Sequence, residues 1–289
     1  MSEFSPGVRS EVGTLESVLV HEPGREFTSV VDPDAWGWDG LPRLKQAAKE
    51  HQKLVETLES HGVEVYELGE TEQILAESLF VRDVGFVVEG GAVIGRMSDQ
   101  IRDGEEHRLT SRLVEMDIPI YHTVHAGGRF EAGNLIWLDR ETVAIGRSKT
   151  TNTEGIRQVR SVLDTYDIDI TEVPIFGSTK STGQTHLALV FNMVAPDLAL
   201  LYPQAVPTEF REFLEDRGIE IIEVPTREQR NMVTSCIVVD EETVVISAGN
   251  PVTRSALQQR GFDVIDLDIR EIRKARGGLK GLVIPLERA

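Results

Sequence analysis

Apolar and polar positions along this chain follow a cassette of about forty residues, which occurs four times in full and a fifth time split between the two ends. Each copy reads as an apolar strand, an acidic or glycine turn, a second apolar strand, an amphipathic helix and a short closing strand. One copy runs from Val84 to Thr123, the next from Gly133 to Ile175, the third from Ala188 to Pro225 and the fourth from Ser235 to Ile269. The chain ends on a lone strand, LVIPL (Leu282 to Leu286), and opens on another, ESVLVHEP (Glu16 to Pro23). That opening strand leads into a helix rich in Lys, Glu and Gln (Leu44 to Glu59) and then VEVYEL, so joining end to start completes a fifth cassette. One such unit cannot bury its own apolar face, so a regular period implies units set around an axis. Dividing one copy between the termini closes the ring.

With 289 residues and 40% of them apolar, the chain has ample material for a core, and the continuous repeat favours one closed domain over residues 1–289. There is no run of eighteen apolar residues, so no membrane span is predicted. The N-terminus, MSEFSPGVRSEVG, carries neither a basic leader nor an apolar stretch, so secretion is not expected. A single cysteine excludes an intrachain disulfide, and the expected compartment is the cytoplasm. A net charge of −18 argues against nucleic acid or an anionic membrane as partner. Seven lysines stand against 23 arginines. Acid-rich, lysine-poor surfaces suit proteins that stay soluble in concentrated salt, and a GC-rich genome produces the same arginine bias.

One irregular segment stands out: FTSVVDPDAWGWDGL, from Phe27 to Leu41, between the opening strand and the first long helix. Its Pro, Asp and Gly residues forbid a continuous helix. A loop of this length inside a compact domain is commonly a lid or binding loop. Trp36 and Trp38 have two readings, covering a ligand or packing the loop onto the body.

Candidate chemistry lies where the repeats begin. Aligned on their paired strands, the cassettes place LFVRD, RFEAGN, QTHLAL and GGLKG at equivalent positions, each just before a first strand. Equivalent positions in a ring converge on its axis, which predicts that Asp83, Glu131 and His186 meet in one pocket. Two carboxylates and an imidazole can bind a cation and move protons. Taken singly, Asp83 reads equally as a partner of neighbouring Arg82, Glu131 as a solvated loop residue and His186 as a hydrogen-bonded strand-end histidine.

These segments resemble the guanidino-group modifying superfamily: arginine deiminases, dimethylarginine dimethylaminohydrolases and amidinotransferases, built as a five-bladed, pseudo-fivefold α/β propeller (the pentein fold). LFVRD resembles that family's F-x-R-D, FEAGN its E-G-G-D and THLALVFNMV its H-L-x-x-V-F. GRSKTTNTEG resembles G-x-S-x-R-T-N-x-E-G, and GGLKGLVIPLER resembles G-G-x-x-C-L-x-x-P-L-x-R. The resemblance covers essentially the whole chain. It implies that Asp83 and Glu131 grip a guanidinium, whose planar donors match carboxylates in bidentate fashion, and that His186 is the general acid/base. Arg96 and Arg102, in GRMSDQIRDGEE, resemble an arginine-rich family segment and read either as holders of a substrate carboxylate or as surface charge. The implied partner is a small guanidino compound, with no cofactor and no metal. These rings often pair, so a homodimer is a further expectation.

The resemblance also exposes departures. Gly281 stands where the family carries its nucleophilic cysteine, which attacks the guanidino carbon to form a covalent intermediate. Asn134 stands where many members carry Asp, as does Ala188 after H-L. Thr150 replaces an arginine that commonly binds substrate carboxylate, with Lys149 adjacent as a substitute. Cys236, at a roughly equivalent place one cassette earlier, is a candidate replacement thiol, although strand-edge cysteines are mostly inert core residues. Three readings follow. The first is an enzyme of C–N hydrolysis or amidino transfer on arginine, a methylated arginine or agmatine, by a mechanism without the family thiol. The second is a guanidino-binding pseudoenzyme or regulatory subunit. The third, unsupported by any metal-motif spacing, is a Zn or Mn site on Asp83, Glu131 and His186.

Overall fold

The computed structural model describes residues 6–69, 75–177 and 185–289. Gln184, at the head of QTHLAL, and the first five residues of MSEFSPGVRSEVG lie outside the described residues. Five three-stranded sheets form the blades of an α/β propeller. The blade split between the ends combines β1 (Leu15–Val20), helix α1 (Leu44–Ser60), β2 (Glu64–Glu67) and the last strand, β15 (Ile284–Arg288). The second blade is β3 (Gly85–Val88), β4 (Gly91–Ile94), α2 (Glu105–Glu115) and β5 (Ile120–Thr123). The third is β6 (Leu135–Trp137), β7 (Thr142–Arg147), α3 (Thr153–Leu163) and β8 (Asp169–Pro174). The fourth comprises β9 (Phe191–Ala195), β10 (Leu198–Leu201), α4 (Thr208–Asp216) and β11 (Glu220–Glu223). The fifth comprises β12 (Ile237–Val238), β13 (Thr243–Ser247), α5 (Pro251–Gln258) and β14 (Asp263–Leu267).

Every blade has the same wiring: an antiparallel pair, then a helix that returns the chain to a parallel third strand. β1 supplies the rule for the divided blade, pairing antiparallel with β15 and parallel with β2. The closing strand begins two residues later than LVIPL suggests, because Leu279–Leu282 forms a one-turn 3₁₀ helix that buries Leu282. The middle strands read as continuous apolar runs because both their faces are covered, as β10 (Leu198, Ala199, Leu200, Leu201) illustrates. The helices are one-sided: α1 buries Ala47, His51, Leu54 and Leu58, and α3 buries Ile156, Val159 and Leu163, the spacing of a single helical stripe. Asn152 caps α3, its side-chain oxygen accepting from Gly155 N at 2.8 Å. Among the described residues, no helix is long and apolar enough to cross a membrane.

What positions the site is a set of single turns just before the first strands. Val81–Val84 precedes β3, Ala132–Asn134 precedes β6, Leu187–Leu189 precedes β9 and Leu279–Leu282 precedes β15. The first of these turns touches the second and the fourth, and the second also touches the third. The repeat thus delivers a short turn to the axis from four of its five cassettes.

Candidate active site

The turns enclose a cavity of about 250 Å³ whose lining includes Asp83, Glu131, His186 and Gly281. Asp83 lies within the first turn, Glu131 immediately before the second and His186 immediately before the third. All three are buried. His186 Nε2 stands 2.7 Å from Glu131 Oε2, and His186 Nδ1 stands 3.7 Å from Asp83 Oδ1. Gly133 allows this approach: a Cβ there would lie 2.5 Å from Asp83 Oδ1 and 3.1 Å from His186 Cγ.

Glu131 is held by a residue that the sequence did not single out. Ser98 donates to Glu131 Oε1 from its backbone N at 2.9 Å and its hydroxyl at 2.6 Å. Burial disfavours the Glu131 charge, yet the His186 hydrogen bond and charge, Arg102 and Ser98 bring its pKa down to about 2. Burial likewise opposes a charge on His186, but Asp83 and Glu131 outweigh it and raise the pKa above the ordinary value. The imidazole is therefore an acid poised between two carboxylates. Ser98 carries no motif, and only its meeting with Glu131 reveals its part.

Arg102 is not surface charge. Buried, it donates from Nη1 to Asp83 Oδ2 at 2.9 Å, grips Glu105 through Nε and Nη2, and lies 3.5 Å from Glu77. It lies against three carboxylates and also lines the cavity. Burial raises the Glu105 pKa to about 7 against the pull of Arg102. Asp83 accordingly pairs with Arg102, while Arg82 turns to Leu135 O at 3.2 Å and Glu11 at 3.8 Å. The spacing of Arg102 and Glu105 was the available signal, one helical turn apart.

The other expected residues divide between the cavity, the surface and the packed interior. Arg96 is exposed, lies outside the cavity lining and pairs its backbone with Phe130. Asn134 is fully buried and also outside the lining. Its Nδ2 donates to Thr150 and Thr151 hydroxyls at 2.9 and 3.0 Å, and its Oδ1 accepts from Leu187 N at 3.0 Å. It locks the turn after His186 to the third blade, and Thr150 is spent on the same network. Lys149 is exposed in the lining, together with Arg129. Cys236 belongs to the core: its buried thiol accepts from Asn192 Nδ2 at 3.1 Å, and burial raises its pKa. The lining residue beside it is Ser235.

In the Phe27–Leu41 segment the two tryptophans part. Trp38 is buried, packs on Phe27 at 5.3 Å and donates from Nε1 to Glu77 at 2.7 Å, whereas Trp36 lines the cavity. Asp39 N donates to Lys274 O at 2.7 Å, fastening this segment to the loop that carries Gly277 and Gly278.

Donor atoms of Asp83, Glu131 and His186 all lie within 4.8 Å of one another, as a metal trio requires. The 2.7 Å His186–Glu131 separation is a direct hydrogen bond, however, shorter than the roughly 3.4 Å between two ligands of a tetrahedral ion with 2.0–2.2 Å bonds.

The blades are those of the guanidino-modifying α/β propellers. Residues 38–288 match the family model of the eukaryotic N,N-dimethylarginine dimethylhydrolases, and the chain belongs to that family. It is 32% identical to the Bacillus subtilis protein YkgA over 99% of this chain and 97% of that one. It is 27% identical to the N(G),N(G)-dimethylarginine dimethylaminohydrolase of Pseudomonas aeruginosa, over 92% and 97%. The fold is shared with a solved mutant of the Pseudomonas aeruginosa enzyme complexed with citrulline, at a TM-score of 0.79 and 24% identity, covering 94% of this chain and 99% of that one.

Proposed function

We propose that the chain binds a guanidino compound between Asp83, Glu131 and His186 and does not process it by the covalent route. One observation carries this reading: the cavity keeps its two carboxylates and imidazole, whereas the chain's only cysteine is buried outside the lining. At Gly281 no side chain is present to attack the guanidino carbon. A Glu131 carboxyl with a pKa of about 2 is a feeble base, and the carboxylates of Asp83 and Glu131 favour the protonated form of His186. Arginine, a methylated arginine and agmatine fit the carboxylate pair, and Lys149 and Arg129 in the lining supply positive charge for a ligand's anionic end.

A second reading rests on that same acidic His186. Water adds to the guanidino carbon, His186 delivers the proton that the departing amine needs as the C–N bond breaks, and the proton given up by the added water restores the imidazolium. Without a base or a thiol this turnover is slow.

Calorimetric titration with arginine, Nω,Nω-dimethylarginine and agmatine, paired with mass-spectrometric product detection, tests both readings. Saturable binding that is lost in Asp83→Asn, with no citrulline or released amine, is the expected result. Product formed by the wild type and absent in His186→Gln selects the hydrolytic reading, and no binding by any of the three overturns both.

A further inference from the structure

Behind the axial cluster lies a buried carboxylate that does not reach the cavity. Glu105 opens α2, is 2% exposed and lies outside the lining. Its two oxygens accept from Arg102 Nε at 3.0 and 3.1 Å, and Oε2 accepts also from Nη2 at 2.8 Å. The same guanidinium donates from Nη1 to Asp83 Oδ2 at 2.9 Å and lies 3.5 Å from Glu77 Oε2. One permanent cation is thus shared among three carboxylates. Glu106, beside Glu105 in the chain, is turned away and accepts from Met97 N at 2.8 Å and Gly104 N at 3.2 Å.

This sharing leaves the cluster short of positive charge, and a buried charge without full compensation is resolved by taking up a proton. Glu105 is the place for it. Burial, opposed by Arg102 and reinforced by Glu77 and Asp83, raises its pKa to about 7, whereas Glu131 is held down at about 2. Asp83 is the joint between that proton and the cavity. Its Oδ2 faces Arg102, and its Oδ1 stands 3.7 Å from His186 Nδ1. A guanidinium bound at Asp83 offsets the charge that repels an ionised Glu105 and leaves more of Arg102 to hold it.

We propose that Glu105 is a positioning residue whose proton is exchanged for the ligand's charge: a guanidino cation entering at Asp83 sends the Glu105 proton to solvent, and Arg102 carries the coupling. The inference rests on the guanidino reading of the axial site. Coupling of this kind is reciprocal. Affinity for the cation is therefore full above about pH 7, where Glu105 is already ionised, and weakens as pH falls through that value.

Calorimetric titration of the full-length protein with agmatine and with arginine, in two buffers of different ionisation heat, counts the protons released on binding. The wild type should release protons near pH 7 and bind about fivefold or more tighter at about pH 8 than at about pH 6. Glu105→Gln keeps the shape and fixes the neutral state, so the release should fall by about half or more and the pH dependence with it. Release undiminished in Glu105→Gln comes from another group, His186 foremost, and overturns the inference. Infrared difference spectra of the wild type with and without agmatine, at about pH 6, decide the matter even where Glu105→Gln fails to fold. Loss of a protonated-carboxyl band on binding is expected, and an unchanged band overturns the inference. Binding without proton release also overturns it and leaves the guanidino reading standing, whereas no binding by either compound overturns both.

Discussion

His186 Nε2 and Glu131 Oε2 form a buried hydrogen bond of 2.7 Å between residues 55 positions apart. Folding raises the pKa of the imidazole and depresses that of the carboxyl, so each partner favours the charged form of the other. The two residues sit at equivalent places in adjacent cassettes. Their contact is therefore a consequence of the repeat.

The pair makes stability depend on pH at both ends. His186's contribution is fully present below its ordinary pKa of 6.5 and is lost as pH rises through the raised value. Glu131's contribution is present above 4.5 and is lost as pH falls toward 2. Urea unfolding of wild type and His186→Gln across this range should show their difference shrinking on the alkaline side. A difference independent of pH would refute the ion pair.

Removing the counterion isolates its share. Below about pH 6, Glu131→Gln leaves a buried imidazolium partly uncompensated, at a cost of about 3 kcal/mol. At alkaline pH, where the ring is neutral, only a hydrogen bond is altered and the loss falls to about 1 kcal/mol. Urea midpoints at the two pH values measure the contrast.

Arg102 is expected to act on stability. Arg102→Lys keeps the charge but loses the two-pronged hold on Glu105 and the arm to Asp83, costing about 2 kcal/mol or more. The check is thermal denaturation beside titration with arginine and agmatine. An unchanged melting temperature, with weaker binding of arginine but not of agmatine, would return Arg102 to the substrate-carboxylate role.

Gly281→Cys probes the position proposed to correspond to the family nucleophile. Its φ is not positive, and a Cβ there would meet Phe80 Cδ1 at 3.3 Å with nothing else nearer than 3.9 Å, a tight contact that a small ring shift relieves. The stability cost should stay within about 1–2 kcal/mol. The new thiol should react with iodoacetamide and be protected by a bound guanidino ligand, while Cys236 stays unreactive in the native protein. Peptide mapping by mass spectrometry reads both sites. An introduced thiol that is unreactive, or that the ligand does not protect, would place residue 281 away from the ligand.

Much of this was legible in the sequence because a repeat encodes its own assembly. The strand-strand-helix-strand order of each cassette follows from local apolar periodicity, and the divided blade follows from the lone strands at the ends. The axial meeting of Asp83, Glu131 and His186 needed only their common offset from a first strand. What periodicity does not carry is side-chain direction between blades. Asn134 and Cys236 lie close to that offset yet face the packed interior, because their neighbours Thr150, Thr151 and Asn192 offer hydrogen bonds there.

The sequence alone determined the ring, the elements of each blade, the site-bearing turns and the glycine at position 281. The tertiary structure decided which polar groups are spent on one another: Arg102 on Glu105 and Asp83, Glu131 on Ser98 and His186, Trp38 on Glu77. Most of those pairings join residues from different cassettes and loops. Their energies arise only when burial strips water from both partners at once, and no linear pattern records that event.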